Sequence, residues 1–412
     1  MVKKEFSPET WEELSHDLSE KWNDMQDEII GMQVENLTKG ANNGVDKWYE
    51  KQLKQNRIVE KSVLSIIKKH KDDIDFETDK AYLKANEVAQ DLVKERLGEA
   101  PDIDATKFIE NKIEENEEVY KYLTLANVKA KTLLVNKTYA LAKLKMSKRI
   151  SWTLEEETKI LYDAMERTVD NDLSKMIGVT YKNGRQITFR SYMEMRIRTD
   201  INHVAIDMME DASNRLGVVF FLCNQFGDCA DDHRPYQGKV YVLENWRNLV
   251  SSDKLDEYTD YIQKNNIQTL ESIKGAPVYL GTRPNCRHTF TPITFEQATN
   301  KNQTLKDLGL SAKGKANKEK YEASQKQRAY ERAIRDYKLK YNNVLIQARS
   351  VNNDEVKLKL LEKAKKYRGY ISYFQKQIRE LLANNSYLAR DYARENINKA
   401  TYDLGANYNK KG

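Results

Sequence analysis

Cysteine, proline and glycine are all scarce in this chain, and each scarcity removes a class of structure. Three cysteines (Cys223, Cys229 and Cys286) among 412 residues cannot frame a disulfide-stapled secreted scaffold and fit a reducing compartment. Six prolines and 16 glycines are too few for the turn-rich sequence of a compact sandwich or barrel. The longest wholly apolar run, Leu216 to Cys223, is far too short to span a bilayer. The opening residues MVKKEFSPETW carry basic side chains but no apolar stretch of the kind a secretory signal needs. The expectation is a protein with no membrane segment that is not secreted. Also missing are a Walker phosphate loop, a His-Glu-x-x-His helix, a Gly-x-Ser-x-Gly elbow and a paired-carboxylate motif in a recognised context. These absences leave little basis for an enzyme.

What the chain has in abundance is charge: 32% of residues are Asp, Glu, Lys or Arg against 40% hydrophobic, the profile of long solvated helices. The expected fold is mainly α with a central α+β module. At this length two or three domains are expected. Residues 1–170 read as an N-terminal helical domain. Ser7 before Pro8 suits a helix start, because the hydroxyl caps free amides and proline at the first helical position loses no hydrogen bond. Trp11, Leu14, Leu18, Trp22, Met25, Ile29 and Met32 then recur in steps of three and four, one stripe that its own chain or another subunit must cover. Breaks at Gly40–Gly44 and in GEAPDID (98–104) divide the region into antiparallel segments, and Thr153 with Glu156 forms a capping-box pattern.

The pattern changes in residues 171–300. VTYKNGRQITF places Asn183 and Gly184 between two short β-favouring runs, the strongest local hairpin signal. A helix from Ser191 to about Arg215 should follow, and GVVFFLC, KVYVL, PVYL and HTFTPI read as strands. Four of the six prolines fall here. Gly238 and Gly275 read as turn glycines, and Asn285 as a turn residue acting through its side-chain amide.

Residues 301–412 form a basic tail, with 26 Lys and Arg against 12 Asp and Glu, whereas residues 1–300 hold 43 against 51. Two helices broken at Asn352-Asn353 carry stripes at near-heptad spacing: Tyr330, Ile334, Tyr337, Tyr341 and Val344, then Leu360, Ala364, Tyr367, Ile371, Phe374, Ile378 and Leu381. They predict a C-terminal helical hairpin or coiled coil. Eleven of the 24 tyrosines lie in this tail. Its charge would neutralise phosphates of double-stranded DNA. Equally, Tyr330, Tyr337, Tyr341 and Tyr367 on the stripes would be core, with Lys and Arg solvating the other face.

All three cysteines and three of the five histidines lie between His203 and His288. Four of them form two close pairs, Cys229 with His233 and Cys286 with His288. Residues two apart on an extended segment point to one face, and residues four apart share a face of a turn or short helix. Four N/S ligands would suit a closed, structural zinc site with no open position for catalysis. The same residues also suit ordinary packing and hydrogen bonding, which need no metal, and the spacing is not that of a common zinc finger. Cys223, within VVFFLC, reads as core, and His203 as an ordinary helix position.

CADDHRPYQGKVY (229–241) followed by RPNCRHTFTP (283–292) resembles the phage minor capsid protein 2 family, which is related to the Mu F-type head morphogenesis proteins. The resemblance continues upstream in VTYKNGRQITFRSYMEMRIRT (179–199) and downstream in YEASQKQRAYERAIRDYKLK (321–340), covering roughly residues 150–380. It implies a virion protein of a tailed bacteriophage, encoded near the portal gene and assembled in host cytoplasm. Its place would be the head interior, touching the portal protein and the capsid interior in head assembly, DNA packaging or ejection. No catalytic residue is implied. Related modules often carry Cys-x-x-Cys where this chain has Cys229 and His233, and Cys-x-Cys where it has Cys286 and His288. The competing reading is a metal-dependent nuclease or other enzymatic head protein built on Asp231, Asp232 and His233, although acids beside a lone histidine are usually surface residues. A scaffold that merely contains the module is a third reading.

Overall fold

In the computed structural model the described residues are 8–101, 103–173, 176–181, 183–284, 286–310, 318–388, 390 and 395. The chain is mainly α. Helices α1 (Pro8–Thr38), α2 (Val45–Lys54), α3 (Asn56–Leu97), α4 (Thr106–Met146) and α5 (Leu154–Thr168) come first. A short hairpin of β1 (Val179–Thr180) and β2 (Gln186–Ile187) leads into α6 (Phe189–Leu216). Then come β3 (Phe220–Cys223), β4 (Val240–Val242), α7 (Leu255–Lys264), α8 (Leu270–Lys274) and β5 (Phe290–Ile293). The chain continues through α9 (Phe295–Thr299), α10 (Lys301–Asp307), α11 (Lys318–Ser350) and α12 (Asp354–Ala383). No helix among the described residues is long and apolar enough to cross a membrane.

Packing divides the described chain into two compact units that are discontinuous in sequence. The first draws on residues up to Leu18, on Phe76–Ile113 and on Glu194–Lys326; the second on Ser19–Asp75, Glu114–Met193 and the chain from Gln327. The long helices α1, α3, α4, α6 and α11 each give residues to both.

The first unit holds the small sheet, with β3 between β4 and β5 and both pairs antiparallel. All four side chains of β3 are buried, each contributing about 1.5–3 kcal/mol by leaving water. Phe220 meets Tyr258, Tyr261 and Phe295, with Tyr258 stacked on Phe295 at 4.4 Å between ring centroids. GVVFFLC, KVYVL and HTFTPI therefore supply strands, but PVYL does not. The Val278 and Tyr279 amides both return to the Gly275 carbonyl and Tyr279 stands at φ 53, so the run is a turn whose backbone is spent locally.

The second unit buries Trp22, Met25 and Ile29. Trp22 stacks on Tyr120 at 5.1 Å and meets Phe189 at 6.1 Å, so this part of the apolar stripe is covered by its own chain. The side chain of Trp11, and Ser7 as a cap, lie outside the described residues. The capping box at α5 is complete, Thr153 accepting from the Glu156 amide while the Glu156 carboxylate accepts from the Thr153 amide. In the C-terminal hairpin α11 and α12 pair antiparallel through Ile334, Ile371 and Ile378, with Tyr330 against Phe374 and Tyr337 against Tyr367. Asn353 separates the two helices and caps α12, its side chain accepting from the Val356 amide at 3.0 Å.

Candidate metal centre

The sequence between β3 and β4 is short of regular structure because its polar groups close on themselves. The amides of His233 and Arg234 both return to the Ala230 carbonyl, and that of Tyr236 to the His233 carbonyl. The resulting turns bring His233 back toward Cys229. Gly238 closes the segment at φ 68, a left-handed conformation that favours glycine. Gly275 adopts no such conformation, since its backbone is extended at φ −90 and ψ −174. From the other side, Cys286 and His288 arrive on the run into β5, the Cys286 amide closing a turn on the Arg283 carbonyl at 2.9 Å. Asn183 and Gly184 sit apart from this centre, in the β1–β2 turn: Gly184 has φ 81 and Asn183 Oδ1 accepts from the Arg185 amide at 3.1 Å. Asn285 lies outside the described residues.

The four Cys and His side chains meet in one cluster. Cys286 Sγ lies 3.5 Å from His233 Nδ1 and 3.3 Å from His288 Nδ1, and the three ligand atoms fall within 4.8 Å of one another. Zinc bonds of about 2.3 Å to sulfur and about 2.0 Å to nitrogen, at tetrahedral angles, put S and N roughly 3.5 Å apart. The observed edges match that spacing. His233 Nε2 lies 2.9 Å from the Val278 carbonyl, which takes its proton and leaves Nδ1 as the lone pair facing Cys286, the outer contact typical of a metal-bound histidine. Cys229 stands differently, its Sγ 3.5 Å from His288 Nε2. His288 thus lies between the two thiols, and a tetrahedron including Cys229 requires that ring to turn.

Burial sets the electrostatics. It holds the His233 imidazole below its ordinary range. It takes His288 to about 3, helped by repulsion from His233, Arg287 and Arg283. Burial, then Cys286, pushes the Cys229 thiol up to about 12, and burial also raises Cys286. Both imidazoles are neutral, as metal ligands must be. Burial works against a free thiolate at either cysteine, so an ion bound here would displace the thiol protons as it binds. The acids nearby are all engaged: Asp228 with Arg287, Asp231 with Arg234, and Asp232 with Arg283.

Sequence reasoning missed the supports. Asn202 on α6 donates to the carbonyls of Gly281 (3.1 Å) and His288 (3.3 Å), pinning both sides of the Cys286 loop. The Gly281 amide donates to Cys286 Sγ at 3.2 Å. Gln237 Oε1 lies 3.4 Å from His288 Nε2, and Phe226 packs 5.4 Å from the His288 ring. His203 reaches the Thr282 carbonyl at 3.2 Å. No motif in the sequence marks any of these, because each acts through a backbone or ring contact made only in the fold.

Gly281 yields a direct prediction. It stands at φ 78, and a Cβ there would lie 2.8 Å from the Phe290 ring and 3.1 Å from Ile206. Left-handed geometry and overpacking together set the expected cost of Gly281→Ala at about 2–4 kcal/mol, read as a fall in urea midpoint; an unchanged midpoint contradicts the packing described.

Residues 6–383 match the family model described as Phage minor capsid protein 2. The chain belongs to the phage minor capsid protein 2 family. The match takes in the N-terminal helices and the C-terminal helical hairpin as well as the Cys/His module. No curated protein and no solved structure matches the chain. A minor capsid protein 2 family member is a bacteriophage virion component with capsid-associated partners.

Proposed function

We propose that this minor capsid protein is a structural component of the head interior at the portal, acting in head assembly, DNA packaging or ejection, and that its Cys/His centre is a structural zinc knot and not a catalytic site. The observation that carries the second half is that Cys286 Sγ stands at tetrahedral-edge distance from a nitrogen of His233 and of His288, with both histidines buried and an outer contact on His233. Such an ion would tie the turn after β3 to the run into β5, fixing both flanks of the sheet. The carboxylates of Asp228, Asp231 and Asp232 are each paired with an arginine, which supports a non-catalytic role and leaves the nuclease reading no free acid among them.

The portal assignment draws on family membership, and double-stranded DNA is the second proposed partner, through the basic C-terminal region. Cross-linking of DNA-free heads followed by peptide mapping is expected to join this chain to the portal protein. Cross-links only to the outer capsid surface would overturn the placement.

A further inference from the structure

Between Lys363 and Arg379 helix α12 carries six basic residues, three tyrosines and no acid. At 100° per residue these do not spread evenly. Tyr367, Ile371, Phe374 and Ile378 face α11, and Lys363 turns in to pair with Glu166 and Asp170. The remaining cations fall on the solvent side. Lys365 and Lys376 lie near its centre, Arg368 and Arg379 along one flank, Lys366 with Tyr370 and Tyr373 along the other, all exposed.

Three observations make this more than a solvated face. Among the described residues no carboxylate pairs with Lys365, Lys366, Arg368 or Arg379, and what sets them apart from other exposed lysines is that they share one helix face in a stretch holding no acid. Lys376 meets Glu380 at 3.7 Å, at the end of the stripe. Second, Gly369 sits mid-helix at the centre of the face, where a Cβ would meet nothing within 4 Å. Packing does not require glycine there, and it costs a helix about 1 kcal/mol relative to alanine; what its absence of side chain provides is a low point on the face, where a bulky partner can approach between Lys365 and Tyr373. Third, Tyr370 and Tyr373 are exposed with Lys366 Nζ 5.9 Å from the Tyr370 ring, so phenol hydroxyls and ammonium groups line one edge together.

We infer that the outer face of α12 from Lys365 to Arg379 is a phosphate-backbone contact for double-stranded DNA. The stripe is about 21 Å long at 1.5 Å per residue, long enough to follow several successive phosphates of one strand. Nothing in it reads bases: cations and hydroxyls meet phosphates, which fixes position without sequence preference. This rests on the DNA reading of the basic region and names the surface that performs it.

The test uses the full chain, a fluorescent duplex of mixed sequence and anisotropy titrations across salt. Each phosphate contact contributes about −0.9 to the slope of log K against log salt. The combined variant Lys365→Gln, Lys366→Gln, Arg368→Gln and Arg379→Gln is expected to flatten that slope by roughly three to four and to lower affinity at least tenfold, with circular dichroism unchanged. Neutralising Lys47, Lys54, Lys61 and Lys68, which are exposed in the same unit, is expected to leave the slope close to that of the parent. Equal losses in both variants would mean diffuse charge and would overturn the assignment of this face, as would an unchanged slope in the α12 variant. No salt-dependent binding by the parent would overturn the DNA reading beneath it.

Discussion

Cys286→Ser is expected to strip stoichiometric zinc from the purified protein and to make its thermal midpoint indifferent to chelator. Cys286 is the one ligand that touches both histidines, at 3.5 and 3.3 Å, so its loss leaves two imidazoles with no sulfur between them. An ion bound to the native state alone stabilises by mass action, about 4 kcal/mol when free zinc exceeds Kd a thousandfold. The parent should therefore lose that increment in chelator, and the variant should lack it from the start. Cys229→Ser separates the possible ligand sets: because its thiol faces the far nitrogen of His288, it should weaken zinc binding and not abolish it if three residues hold the ion. His70→Asn, a change at a histidine of the second unit that contacts Glu28, should retain the metal. Zinc-free parent protein, or full zinc in Cys286→Ser, contradicts the knot.

Lys131→Met is expected to stabilise the chain by about 2–3 kcal/mol at pH 7 and to remove a pH dependence. Lys131 is fully buried on α4 with its ammonium donating to Gln52 Oε1. No carboxylate is paired with it among the described residues, and Lys39 adds repulsion. Burial first, then Lys39, lowers its pKa to about 7. The unfolded chain, with an ordinary lysine, binds a proton that the folded chain gives up between pH 7 and about 10.5. Stability must accordingly rise across that window, and the penalty is complete below it, on the order of 4–5 kcal/mol for a shift this size. Methionine abolishes the penalty but leaves Gln52 Oε1 without its donor, a cost of about 1–3 kcal/mol, hence the smaller net gain. Gln52 stays anchored, since its amide nitrogen holds the Asn36 and Lys39 carbonyls at the end of α1, each at 2.9 Å. Urea midpoints at pH 7 and pH 10 check it: the parent should gain stability toward pH 10 and the variant should not. A destabilised variant would show that the amine is better satisfied than its surroundings indicate.

Local chemistry explains what could be read without coordinates. Thr153 and Glu156 form their capping box because both partners lie within one turn, and Asn183-Gly184 makes its hairpin because the turn's backbone angles are a local property. The stripes of α11 and α12 were legible for the same reason, since periodicity alone places Tyr337 and Phe374 on facing sides. PVYL misled because β-favouring residues describe a preference that the Gly275 carbonyl, accepting two amides, overrides. Lys131 was invisible: it sits in KAKTLLVNK, where Lys129 and Lys137 suggest that the lysines lie on the solvated face, and its burial depends on Gln52 far away in sequence. The Cys/His pairs announced a cluster, but which nitrogen of His288 faces which thiol is fixed by Asn202 and Gln237, distant residues with no motif. The two compact units are likewise built from discontinuous stretches, which no composition shift along the chain marks.

The most direct test of the account is mass spectrometry of purified DNA-filled virions and empty heads, quantifying this chain against the portal and major capsid proteins. The account predicts the chain in both particles, at a level comparable to the portal and far below the major capsid protein. Its absence from both would contradict the structural role altogether.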